Sequence, residues 1–154
     1  MIVEIENWKS EYKFVGNFTN NGLAWVQKGN KEGFVNERGK VIVPIIYDYV
    51  GLFFKGLSRV KKNNKWGFVN QRGKIVIPLL YDYVGIFIKA LAPVKKDGKW
   101  GFVNKQGSIV IPLIYDYAKY VPNGLAYVRK DNKWGLVDKK GKINWDWEKE
   151  CVKK

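Results

Sequence analysis

Lys65-Trp66-Gly67-Phe68-Val69-Asn70, then Gln71-Arg72-Gly73, then Lys74-Ile75-Val76-Ile77-Pro78 is the stretch that decides how this chain folds. Two short runs rich in Val, Ile, Phe and Trp flank a glycine turn, the pattern of antiparallel strands and not of a helix. Upstream, residues 57–62 form a third such run, joined to the first by Asn63-Asn64, a pair that tolerates the positive φ of a two-residue hairpin turn. Pro78 lacks an amide donor, so it is expected to end its strand or to lie at a sheet edge. The reading predicts three antiparallel strands, after which residues 79–87 lead onward through an aspartate-containing turn at Tyr81-Asp82-Tyr83.

The same stretch recurs without gaps. Gly33, Gly67, Gly101 and Gly135 are 34 residues apart, as are Pro44, Pro78 and Pro112 and the Tyr-Asp-Tyr triplets 47–49, 81–83 and 115–117. Residues 56–84 and 90–118 agree at 19 of 29 positions. A period of 34 also suits helix-pair repeats, but a mid-unit proline, repeated glycines and five- to six-residue apolar runs exclude them here. The expected fold is all-β: one domain spanning 1–154, a tandem array of about three and a half three-stranded antiparallel units in an open twisted stack. The units are read as 22–55, 56–89, 90–123 and 124–154, after a partial unit 1–21. A partial barrel or propeller-like closure is the alternative architecture.

The Lys-Trp-Gly element, its Gly turn, the Val-Ile-Pro strand and the Tyr-Asp pair, over roughly residues 12–143, resemble the WG-repeat (KWG) proteins. The resemblance implies a bacterial repeat array serving as a binding module, with no shared catalytic residues. The first unit departs from the pattern, with Glu32-Gly33 in place of Trp-Gly.

Side-chain alternation puts Trp66, Phe68 and Asn70 on one face of the central strand, expected to be the aromatic core, and Gly67 and Val69 on the other. Gly67 is expected to admit a close backbone neighbour, such as the next unit. Ala24, Ser58, Ala92 and Ala126 fill one small-residue slot. The ends of the array need polar outer faces. Glu32 at one end, Ile143-Asn144-Trp145-Asp146 and Lys149-Glu150-Cys151 at the other, read as capping departures.

Composition narrows function. The chain has 154 residues, no histidine and one cysteine, with 28 Lys plus Arg against 14 Asp plus Glu, so the net charge is 28 − 14 = +14. Lacking histidine and a cysteine pair, it is expected to be non-enzymatic and to need no metal or cofactor. Asp48, Asp82 and Asp116 recur one per unit, too dispersed for a carboxylate pair or an oxygen cage, and are assigned to their own turns. Cys151, beside Lys149 and Lys153, is read as a terminal bystander. No run is long enough for a membrane helix and the first residues lack a signal peptide, so a cytoplasmic location is expected.

Two features point to partners. Position 25/59/93/127 holds Trp25, Arg59, Pro93 and Tyr127 at equivalent points of near-identical units; this variable row, expected to face solvent, is the candidate contact surface for a protein. Trp145 and Trp147 form either a cap or a second patch. Lys61, Lys62, Lys95, Lys96, Arg129 and Lys130 recur at one turn, with Lys65, Lys99 and Lys133 across each hairpin, and a stack of them would form a cationic ladder able to track a nucleic acid or acidic glycan. Arg72, Lys74, Lys139, Lys140 and Lys142 carry charge to the opposite end. A protein-binding scaffold is the leading reading and a polyanion binder the alternative.

Overall fold

A computed structural model of the chain describes residues 7–120, 126–138 and 140–145. A 3-10 turn at Asn7–Glu11 precedes four antiparallel sheets that follow one another along the chain. The first contains β1 (Phe14–Val15), β2 (Leu23–Lys28), β3 (Lys31–Asn36) and β4 (Val41–Tyr47). The second contains β5 (Tyr49–Val50), β6 (Leu57–Lys62), β7 (Lys65–Asn70) and β8 (Ile75–Tyr81). The third contains β9 (Tyr83–Val84), β10 (Leu91–Lys96), β11 (Lys99–Asn104) and β12 (Ile109–Tyr115). The fourth contains β13 (Tyr117–Tyr120), β14 (Ala126–Lys130), β15 (Lys133–Val137) and β16 (Ile143–Asn144). Strands are ordered as in the chain within every sheet, and among the described residues no ladder joins one sheet to the next, so no barrel closes.

The repeat and its all-β character are as the sequence predicts, but each sheet has four strands and not three. The extra strand is the short segment after each Tyr-Asp, read from sequence as a connector: Tyr49 pairs with Lys61 and Val50 with Val60. Contacts group the chain into two compact units, residues 1–79 and 80–154.

The hairpin turns form as expected, with Asn63 and Asn64 at φ 52° and 63° and Asp97 and Gly98 at 52° and 78°. Proline does not end its strand. In β12 it begins a bulge on an edge strand: Trp100 opposes Tyr115 and Phe102 opposes Ile111, so Gly101 alone faces Pro112, Leu113 and Ile114. The first sheet repeats the irregularity, with Glu32 opposite Tyr47 and Phe34 opposite Val43. Bulged backbone therefore crosses directly over the glycine. A Cβ on Gly101 would lie 2.5 Å from the Ile111 carbonyl oxygen and 2.9 Å from Pro112 C; on Gly67 it would meet the Ile77 oxygen and Pro78. Gly67 thus admits its own sheet's edge strand, correcting the expectation that the next unit lies there.

The tryptophan of the motif is not the core. Trp66 and Trp100 are half-buried, whereas Phe34, Phe68 and Phe102, two residues on, are at most 2% exposed. In the first unit of the molecule, Leu23, Phe34, Val43 and Tyr47 of one sheet pack against Val50, Val60 and Val69 of the next. In the second, Leu91, Phe102, Ile111 and Tyr115 pack with Ala118, Val128 and Val137. Within each unit the Leu/Phe face of one sheet meets the valine face of the next, and Phe and Val on opposite faces of β3, β7 and β11 are both buried.

Among the described residues no sheet precedes the valine face of the first sheet, Ala24, Val26 and Val35. Trp8, Tyr12, Val15 and Phe18 cover it, with the Trp8 ring against Gly39. An apolar lid does there what the sequence reading assigned to a polar outer face. Glu32 is no cap: its Oε2 accepts the Val50 amide at 2.9 Å, on the side toward the second sheet.

Candidate binding rim at the sheet junctions

Pairing register places the variable row. Trp25, Arg59, Pro93 and Tyr127 are the third residues, by repeat, of the strands that pair with Phe34, Phe68, Phe102 and Leu136. Directly paired residues share a face, so each side chain lies on the face of the Phe or Leu opposite it; for Trp25 and Pro93 this is the face that meets the following sheet. All four are half-buried, which modifies the solvent-facing position expected from sequence. On their other side stand Gly16, Gly51 and Gly85, whose amides donate to the carbonyls of Trp25, Arg59 and Pro93 at 2.7, 2.8 and 2.8 Å. Gly85 makes room for the variable side chain, since a Cβ there would lie 2.5 Å from Pro93 Cγ. In the last sheet Lys119 takes that place.

Three of the four row members rest on their own sheet's rings. Trp25 stacks on Phe14 with centroids 6.4 Å apart and planes 21° apart. The Arg59 guanidinium lies 5.6 Å from the Trp66 ring, and Tyr127 meets Trp134 edge-on at 5.8 Å.

Beside this row runs a second one, built on three cations of the expected ladder and on flanking rings that the sequence reading did not place there. Lys61 is flanked across its strand pairs by Tyr49 and Trp66, Lys95 by Tyr83 and Trp100, and Arg129 by Tyr117 and Trp134. The cations sit 5.4, 5.6 and 5.5 Å from the tryptophan centroids, and Arg129 lies 6.0 Å from the Tyr117 ring. Half the predicted ladder is therefore seated on aromatic faces, where a charge keeps one open side. Lys62 is half-buried, while Lys96 and Lys130 are exposed. In the first sheet the equivalent triplet is Phe14, Gln27 and Glu32.

Two of the repeated aspartates, Asp48 and Asp116, join sheets. Asp48 Oδ2 accepts the Asn63 amide at 2.9 Å, fifteen residues on, while its other oxygen pairs with Lys31 of the preceding hairpin. Asp116 accepts the Asp131 amide at 3.3 Å and Lys99 Nζ at 2.6 Å; Asp82 accepts the Asp97 amide at 2.8 Å. The carboxylate serves the next hairpin and not its own turn, contrary to the sequence expectation. Hydrogen bonds from lysine and then from the backbone amide hold the Asp48 and Asp116 carboxyls below the ordinary carboxylate range. At the last junction Tyr120 donates to the carbonyls of Ile88 (2.5 Å) and Leu91 (2.8 Å), and burial pushes its phenol up to about 12.

Exposed apolar residues recur in the same frame: Leu52 and Ile86, Phe54 and Ile88, Ile46, Leu80 and Ile114. Trp145 is 40% exposed and tilted against Tyr115 at 6.3 Å. Trp147, Cys151, Lys149, Lys153, Asp146 and Lys139 lie outside the described residues. Among the described residues no three metal-ligating side chains come together, and no helix is long and apolar enough to cross a membrane.

The family model of the WG containing repeat matches residues 9–31, 33–66, 66–100 and 100–134, passing over Glu32 alone in that span. No curated protein matches the chain. Among solved structures, a eukaryotic initiation factor superposes with a TM-score of 0.48 at 9% identity, covering 82% of this chain and 40% of that one. A symmetrical protein described for its de novo evolutionary emergence gives 0.35 at 8% identity, covering 80% and 66%.

Proposed function

This chain belongs to the WG containing repeat family, and on that premise we propose that it is a non-catalytic scaffold that binds another protein along the rim of its sheet junctions. The observation that carries this reading is the inequality of one rim position among like units. The buried Val, Phe and small-residue positions repeat from sheet to sheet because packing demands it. Trp25, Arg59, Pro93 and Tyr127 occupy one geometric place with four different chemistries, half-buried and therefore pre-positioned. Trp, Tyr and Arg are the side chains that dominate protein interfaces, since a held ring or guanidinium loses little conformational freedom on binding. The exposed Leu52, Phe54, Ile86 and Ile88 would supply apolar area beside them.

A second reading, a binder of nucleic acid or acidic glycan, draws support from the cations seated on tryptophan in three successive sheets and from the net charge of +14. The two separate in one experiment. A partner captured from host lysate is titrated against wild type, an Arg59→Ala/Tyr127→Ala variant, and a Lys61, Lys62, Lys95 and Lys96→Gln variant. The scaffold reading expects a loss of about 2 kcal/mol or more from the first variant and mainly a slower association from the second. Binding abolished at moderate salt by the lysine changes, with the Arg59 and Tyr127 changes silent, favours the polyanion reading.

A further inference from the structure

The first sheet differs from its neighbours at one consequential place: Glu32 stands where the others carry tryptophan. At the junction of the third and fourth sheets, the Trp100 ring meets Tyr117 of the next sheet at 6.4 Å and fills the space between them. At the junction of the first and second sheets the residue corresponding to Trp100 is Glu32, far smaller than an indole, and a hollow of about 490 Å³ is open there. Trp25, Phe34, Phe18, Tyr49 and Leu52 wall it, and Glu32 lies in the wall.

Glu32 Oε2 accepts the Val50 amide at 2.9 Å, and among the described residues its other oxygen has no partner. A half-buried carboxylate among rings is electrostatically incomplete. Aromatic faces carry negative potential and attract cations, strongly so where water is excluded. One carboxylate supplies too few oxygens for a calcium or magnesium ion, and it repels anions. We infer that this hollow binds an organic cation, an alkylammonium or guanidinium group, whose charge meets Glu32 and whose methylene or methyl groups meet Trp25, Phe34 and Tyr49. The site requires nothing of the scaffold reading and stands beside it. The net charge of +14 opposes cation entry at long range. At about 150 mM salt that opposition is screened beyond roughly 8 Å, leaving the local groups to decide.

The test uses the full chain, labelled for NMR, at that ionic strength. Three probes are titrated: choline, N-acetylarginine N-methylamide, and 3,3-dimethylbutan-1-ol, the neutral isostere of choline. The Trp25 indole and Val50 amide signals are expected to shift saturably with at least one cation, and the alcohol to bind about tenfold more weakly than choline or worse. In a Glu32→Gln variant the side-chain carbonyl still accepts the Val50 amide, so the fold is retained. Cation affinity should fall about tenfold while the alcohol is unaffected. Tighter binding of the arginine probe identifies the natural cation as a side chain presented by a protein, and tighter choline binding identifies a free amine. Equal affinity for choline and its alcohol, indifference to Glu32→Gln, or no saturable shift at Trp25 and Val50 with either cation would overturn the assignment.

Discussion

Gly67 and Gly101 are constrained by neighbours that sequence alone cannot place. Gly101 sits where one residue of the central strand faces three of a bulged edge strand, and at both glycines a backbone carbonyl oxygen crowds the position of a would-be Cβ. Backbone cannot move aside as a side chain does, so Gly67→Ala should cost about 3 kcal/mol through forced displacement of the bulge. Gly51→Ala is the control, because its Cβ would find only ordinary contacts beyond 3.6 Å, and a change within about 0.5 kcal/mol is expected. Phe68→Ala should cost about 3–5 kcal/mol, as for a fully buried ring. Trp66→Ala should cost less, about 2 kcal/mol, because a half-buried ring loses its contacts with Tyr49, Lys61 and Arg59 without opening a closed cavity. Chemical denaturation of the four variants ranks them. Here the sequence was misleading: alternation put Trp66 and Phe68 on one face and made both core, whereas Phe68 alone carries the burial. The role of Tyr49 depended on recognising residues 49–50 as a strand, which two residues are too few to signal.

At the scale of elements, sheets are coupled by carboxylates that reach across junctions. Asp48 ties the Lys31 hairpin to the amide of the Asn63 turn, and Asp116 ties Lys99 to the Asp131 turn. Their carboxyls titrate lower in the folded chain than in the unfolded one, so around their ordinary pKa the unfolded state binds more protons. Stability from this source is present above the ordinary carboxylate range and is lost as pH falls through the lower folded values. An Asp48→Asn/Asp116→Asn variant should therefore be less stable than wild type at neutral pH and show a shallower loss below about pH 4, read as melting temperature against pH. Identical slopes in both chains would remove these carboxylates from the coupling. The hairpin turns were legible in Asn63-Asn64 and Asp97-Gly98 because their chemistry is local. The carboxylate contacts were not, because their partners lie fifteen and seventeen residues away and depend on how sheets follow one another. Glu32 was visible as a departure from the repeat, yet its bond to Val50 and the hollow beside it appear only when the first two sheets are seen together.

Across the repeats the buried Phe and Val positions recur, whereas position 25/59/93/127 is half-buried and holds four different side chains. In the proposed function the variable row touches a protein partner while the seated cations do not hold it. Hydroxyl-radical footprinting of the chain, free and saturated with its captured partner, tests this most directly, since it reads the exposure of individual side chains. Protection is expected at Trp25, Tyr127 and Pro93, together with exposed Leu52 and Ile86, at physiological salt. Unchanged reactivity at Trp25, Pro93 and Tyr127, with protection confined to Trp66, Trp100 and Trp134 where Lys61, Lys95 and Arg129 sit, would contradict it.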